Sequence, residues 1–181
     1  MSKVKVPRRL KARPKWKGLP IPYIALIRDD GTPDFRVTNE LARREVISNH
    51  RCQLCGEPLG KWFFFTGGPA AAAQNAYFEP ACHLDCLVYA MQVCPFIVGK
   101  MEHADLAKVQ ADNPDVTVAV DETYTSVKSE AWVITKSNGW RVIRTKGGTF
   151  LIQPHVLKRT GLLYPQKMTA ADWDKVKEEL L

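Results

Sequence analysis

Four side chains in this sequence have the types and the spacing to close around one metal ion. The stretch "RCQLCGEPLG" places Cys52 and Cys55 on a tight turn with two residues between them, and "CHLDC" repeats that interval with His83 and Cys86. A Cys-x2-Cys turn brings both sulfurs to one side of the chain, and Gly56 just after it relieves the turn sterically. His83 and Cys86 open an apolar helical pattern, "HLDCLVYAMQVC", where backbone amides and the helix macrodipole favour thiolate. The expectation is a closed structural site for Zn2+ with Cys52, Cys55, His83 and Cys86 as ligands. Cys82 stays open as an alternative to His83, because Cys82-x3-Cys86 is also feasible. His83 is preferred since both pairs then share one geometry. Cys94 reads as core, and His50 and His103 read as surface or capping histidines.

These ligands need elements to position them. "TNELARREVISNH" (38–50) reads as a helix with Thr38 or Asn39 as its cap, leading into the first pair. "KWFFFTGG" (61–68) reads as a strand ended by two glycines. The alanine-rich "PAAAAQNAYFEP" (69–80) reads as a short helix or an irregular crossing. The second pair then begins a helix with Leu84, Leu87, Val88 and Met91 on one face, stopped by Pro95 and Gly99. Knuckle, strand, crossing and ligand-bearing helix together resemble a treble-clef zinc finger, with a longer gap between the pairs than is usual there.

Catalytic patterns are missing from the sequence. It has no phosphate loop, dinucleotide fingerprint, HExxH or GxSxG, and no His-x-Glu precedes Pro80 and Cys82 as a zinc deaminase requires. Four protein ligands also leave a zinc ion no open position. An HNH-like nuclease, also built on a treble clef, needs a histidine base near residue 65. The residues there are "FFFTGG", and Asp85 alone on the helix does not supply the chemistry. The chain is therefore read as non-enzymatic.

Three stretches, "GLPIPYIAL" with "GTPDFRV", "RCQLCGEPLGKWFFFTGGP" and "EPACHLDCLVYAMQVCPF", resemble a family of uncharacterised bacteriophage and proteobacterial proteins. The resemblance covers roughly residues 18–98, with weaker echoes beyond. It implies metal ligation at Cys52, Cys55, His83 and Cys86, a phage or bacterial setting, and no reaction. A cysteine before the ligand histidine, here Cys82, departs from that family.

Charge suggests a partner. The chain carries 26 Lys and Arg against 19 Asp and Glu. Eight of the cations, Lys3, Lys5, Arg8, Arg9, Lys11, Arg13, Lys15 and Lys17, fall within residues 1–17 without one carboxylate, so the rest is nearly neutral. Such an arm can neutralise phosphates of DNA or RNA, and Trp16 within it can stack on an unpaired base. It lacks the apolar stretch of a secretory signal, and Pro7 and Pro14 break any amphipathic presequence helix. Five cysteines without a signal point to a reduced cytoplasm, bacterial or that of an infected host cell. No apolar run is long enough to span a membrane.

The remainder reads as "YIALIRD" (23–29) and "DFRV" (34–37) in a hairpin about Asp30-Gly31, a helix at "MEHADLAKVQ" (101–110) and a strand at "VTVAV" (116–120). "AWVITKS", "WRVIRTK" and "TFLIQP" follow as a three-stranded meander turning at Asn138-Gly139 and Gly147-Gly148. "MTAADWDKVKEELL" ends the chain as a helix capped by Thr169, with Trp173, Val176 and Leu180 inward. The expected fold is α+β, a treble-clef-like zinc finger core followed by an antiparallel β-meander and a C-terminal helix. Its divisions are a flexible basic arm (1–20), a zinc-binding domain (21–112), and the meander with its helix (113–181). The expected function is contact with nucleic acid or a nucleoprotein complex through the arm. The alternative is a factor that docks on a host or phage protein complex, with the alanine run and "WFFF" as an apolar surface.

Overall fold

The computed structural model describes residues 4–99, 106–114 and 129–181. The elements run α1 (Arg8–Lys11), β1 (Lys15–Trp16), β2 (Leu19–Pro20), β3 (Ala25–Ile27), β4 (Pro33–Thr38), α2 (Glu40–Ser48), β5 (Phe63–Gly67), α3 (Pro69–Gln74), α4 (Leu84–Val93), α5 (Leu106–Asp112), β6 (Val133–Arg144), β7 (Phe150–Arg159), a 3-10 turn (Pro165–Lys167) and α6 (Ala170–Leu180). The class is α+β, with every sheet antiparallel. The expected strand at 116–120, His103, Lys3 and the first half of the expected helix at 101–110 lie outside the described residues. Among the described residues, no helix is long and apolar enough to cross a membrane.

The largest sheet has the order β5-β6-β7. Here the structure departs from the sequence reading. Asn138-Gly139 does not turn the chain; β6 runs straight through it from Val133 to Arg144, and the register against β7 shifts there. The dipeptide marks a bulge, a local irregularity that a strand absorbs when both neighbours continue to pair. The reversal comes only at Gly147-Gly148, where Thr145 donates to the Thr149 carbonyl (2.8 Å) and Gly148 to the Thr145 carbonyl (3.0 Å). The meander's third strand is instead β5, from the first half of the chain, with Phe65 opposite Thr135. Both halves thus share one hydrogen-bonded sheet.

Strand alternation lets β5 serve two cores. Phe64 (4% exposed) faces one side, with Leu84, Cys86, Leu87, Val88 and Met91 from the ligand helix, Ile134 from β6, and Trp173, Val176 and Leu180 from α6. Phe63 and Phe65 face the other, with Tyr77 and Ile152. Trp140 meets Phe63 edge-on at 4.7 Å between ring centroids, and His50 lies 4.4 Å from Trp140. Of the run expected as a surface, Phe63, Phe64 and Phe65 are therefore interior and Trp62 is half-buried. The α6 cap forms as its sequence implies, Thr169 and Asp172 satisfying each other's backbone amides.

Two buried polar nodes hold the periphery. Asp34 accepts from Arg36 Nη2 (2.6 Å) and Asn113 Nδ2 (3.1 Å) and pairs with Arg28, tying α5 to the β3–β4 hairpin. Arg43 lies buried in α2, donating Nη2 to the carbonyls of Phe78 (2.8 Å) and Phe150 (2.7 Å).

The basic segment also departs from expectation. Over residues 4–20 it is seated rather than free. Leu10 (3% exposed) enters the same core cluster as Cys52, Cys55 and Cys86. Two short strands, β1 and β2, form a hairpin anchored by buried Pro20 and Ile21. An apolar side chain placed among the cations supplies the burial that a purely charged tail lacks.

Candidate metal centre

The first pair sits on a knuckle closed by backbone bonds. Gly56 N donates to the Cys52 carbonyl (2.8 Å), Cys52 N to the Glu57 carbonyl (2.9 Å), and Leu59 N to the His50 carbonyl (2.8 Å). Gly56 has φ +79, and a Cβ there would lie 2.4 Å from a Tyr23 ring carbon. Only glycine meets both demands. The second pair sits where α4 begins. Cys82 pairs with Phe64 of β5 through both backbone groups (3.1 and 2.8 Å), which fixes the approach of the helix. His83 is the N-cap residue and Cys86 lies in the first turn.

The knuckle and the helix bring one donor atom from each of Cys52, Cys55, His83 and Cys86 to within 4.8 Å of one another. His83 Nδ1 is 3.4 Å from Cys55 Sγ. Metal–ligand bonds of about 2.3 Å to sulfur and about 2.0 Å to nitrogen at tetrahedral angles separate the two donors by roughly 3.5 Å. The observed spacing therefore fits a tetrahedral ion. The other ring nitrogen, Nε2, is 3.0 Å from the Pro58 carbonyl. A backbone acceptor at Nε2 fixes the proton there and leaves Nδ1 as the ligating lone pair, the outer-shell arrangement that metal-bound histidines use.

The electrostatics ask for positive charge at the centre. Burial alone would push the Cys52 thiol up, but its contacts with Cys55, Cys82, Cys86 and His83 outweigh that and hold it well below the ordinary range. Burial alone would lower His83, yet contact with Cys52 and Cys55 pushes it up to about 10. Contacts with Cys52 and Cys55, and then burial, push Cys86 up. Donors at this spacing cannot all shed their protons without a cation between them, and a divalent ion that displaces those protons meets the demand.

Cys82 lies outside the four. Burial, reinforced by its neighbour Cys52, pushes its thiol up, and Gln53 Nε2 donates to its sulfur (3.4 Å) and to the Pro80 carbonyl (2.7 Å). The buried Gln53 amide between the cysteines of the first pair thus braces the second, a role no spacing rule flags. Cys94 is the half-buried C-cap of α4, outside the cluster. The strand between the two pairs, β5, carries Phe63, Phe64, Phe65, Thr66 and Gly67.

The cations of the N-terminal segment divide into two groups. Arg9 is spent on the metal module, 3.4 Å from Glu57 in the knuckle and 3.7 Å from Asp85 in α4. Arg13 Nε donates to the Ile21 carbonyl (3.0 Å) and its guanidinium lies over the Tyr23 ring. Lys5, Arg8, Lys11, Lys15 and Lys17 are exposed, and none has a carboxylate partner among the described residues.

Compared with protein-family models, with curated protein sequences and with solved structures, the chain matches none. The site is read from its own chemistry.

Proposed function

We propose that this chain is a non-enzymatic zinc protein that contacts nucleic acid through its basic N-terminal segment. One observation carries the reading: the segment is seated on the metal module by Leu10 and by the Arg9 ion pairs, with Lys5, Arg8, Lys11, Lys15 and Lys17 left outward. A solubilising tail needs no such anchorage. Three sulfurs and one imidazole gathered within 4.8 Å suit zinc among the common divalent metals, and four protein ligands make the ion structural, on a treble-clef plan. The outward lysines and arginines can replace counterions along a phosphate backbone, which makes affinity fall steeply with salt. The reading sets the protein in the cytoplasm of a bacterium or of an infected cell.

The docking alternative has one support. An apolar groove of about 350 Å³ is lined by Leu162, Tyr164, Met168 and Val176 together with Lys167, Asp172 and Lys175.

Native mass spectrometry of the purified protein tests the first half of the proposal, which expects one zinc per chain. Salt-titrated binding to DNA and RNA, with Lys5, Arg8, Lys11, Lys15 and Lys17 changed together to Ala, tests the second. Affinity independent of salt, or unchanged in that variant, removes the basic segment from the interface.

A further inference from the structure

The β1–β2 hairpin does more than carry charge. Its turn is Lys17-Gly18, with φ +48 and +82, a two-residue reversal of the kind that matches strand twist. Trp16 pairs with Leu19 and Lys15 with Pro20. Successive residues of a strand face opposite sides, so buried Pro20 fixes which face meets the body and sends Leu19 and its partner Trp16 to the other. The base is pinned by the Ile21 amide donating to the Pro14 carbonyl (2.8 Å) and by Arg13 on the Ile21 carbonyl.

A tryptophan held outward this way is unusual. Every other apolar anchor of the segment is buried or half-buried, whereas Trp16 is 38% exposed and has no ring or cation contact among the described residues. Leu19 is half-buried beside it, and Lys15 and Lys17 flank it without carboxylate partners. The neighbouring rings differ: Trp62 lies under Lys61 and Lys136, and Tyr23 under Arg13.

The geometry points to a stacking site for one unpaired nucleobase on Trp16, with Lys17 in the adjoining turn holding a flanking phosphate. The site rests on the nucleic-acid reading above and names its ligand class as single-stranded rather than duplex. An indole face accepts any base once that base is unstacked from its neighbours, and the interior of a duplex withholds it. The tight hairpin fixes the backbone that carries the ring.

The test uses the full-length zinc-loaded protein and labelled oligonucleotides of about 12 nucleotides, single-stranded DNA, single-stranded RNA and a DNA duplex, read by fluorescence anisotropy. Trp16→Ala is expected to weaken single-strand binding about 10-fold and to leave duplex binding within about 2-fold, while Trp16→Phe retains most of the affinity. An unchanged melting temperature shows that the ring is not structural. Equal weakening on single strand and duplex, or no weakening on either, overturns the stacking site and leaves the basic-segment reading standing. A wild-type protein that binds none of the three overturns both.

Discussion

His83 faces two ways at once: its Nδ1 lies 3.4 Å from the Cys55 sulfur, and its Nε2 lies 3.0 Å from the carbonyl oxygen of Pro58, in the loop that leaves the knuckle. One imidazole therefore links the helix to both sides of the first cysteine pair. His83→Ala is expected to weaken zinc binding by more than the about 10–100-fold that accompanies loss of an outer-shell partner, since a ligand itself goes. His83→Cys should restore tight binding. Competition with a chromophoric chelator measures both. Equal affinity of the Ala variant and the wild type would remove His83 from the ligand set.

Cys52→Ser and Cys86→Ser, or exhaustive chelation, should unfold the core that α4 shares with β6 and α6. Cys52 and Cys86 line the same core cluster as Leu10, Phe64 and Trp173, so metal binding and core formation are one event. Far-ultraviolet circular dichroism and melting with and without chelator check this. The same ligands must shed protons to bind, so zinc should be released as pH falls, with proton uptake.

Gly56→Ala meets two obstacles, the positive φ and the Tyr23 ring. We expect a loss of about 2–4 kcal/mol in chemical denaturation, combining strained backbone with the clash. Adding Tyr23→Ala should recover the steric part and not the backbone part, and the double-mutant cycle separates them.

Asp34 gives the fold a sign in its pH dependence. Hydrogen bonds from Arg36, opposed by burial and aided by Asn113, hold its carboxyl well below the ordinary range. Its contribution is therefore present above the unfolded value near 3.9 and is lost as pH falls below it. Asp34→Asn should cost about 2–3 kcal/mol at neutral pH, less than a fully buried pair because the arginines are about a quarter exposed, and should flatten the acid limb of stability against pH.

Leu10→Ala tests the seating of the basic segment. Truncation of a buried leucine costs about 2–3 kcal/mol where the neighbours can relax. Here the cost should fall locally, on release of residues 4–20. Trypsin should cut the variant at Arg8, Arg9 or Lys11 faster than the wild type. Equal rates would mean that Leu10 does not hold the segment.

Much of this was legible in the sequence because spacing encodes it. The two x2 pairs, the Thr169-Asp172 cap and the apolar stripes of α4 and α6 are local patterns with few alternative conformations, and the structure shows each. Three features escaped for nonlocal reasons. Asn138-Gly139 carries a strong hairpin signal, but pairing on both sides of β6 outweighs local turn preference. Nothing local in the sequence marks Arg43 for burial, yet two carbonyls from distant segments draw it inside. The basic segment reads as disordered by composition, and a few apolar residues led by Leu10 seat it, because composition averages over the residues that find a core.

The placement of β5 bears on how the molecule tolerates a break. Phe63–Gly67 precedes the second ligand pair and hydrogen-bonds along β6, which follows residues 100–128, while α6 closes over the ligand helix. If the covalent connection between α5 and β6 were cut, the β5–β6 ladder and the packing of α6 on α4 would still join the two pieces. The two fragments, expressed apart, should find each other and reconstitute one zinc-dependent unit.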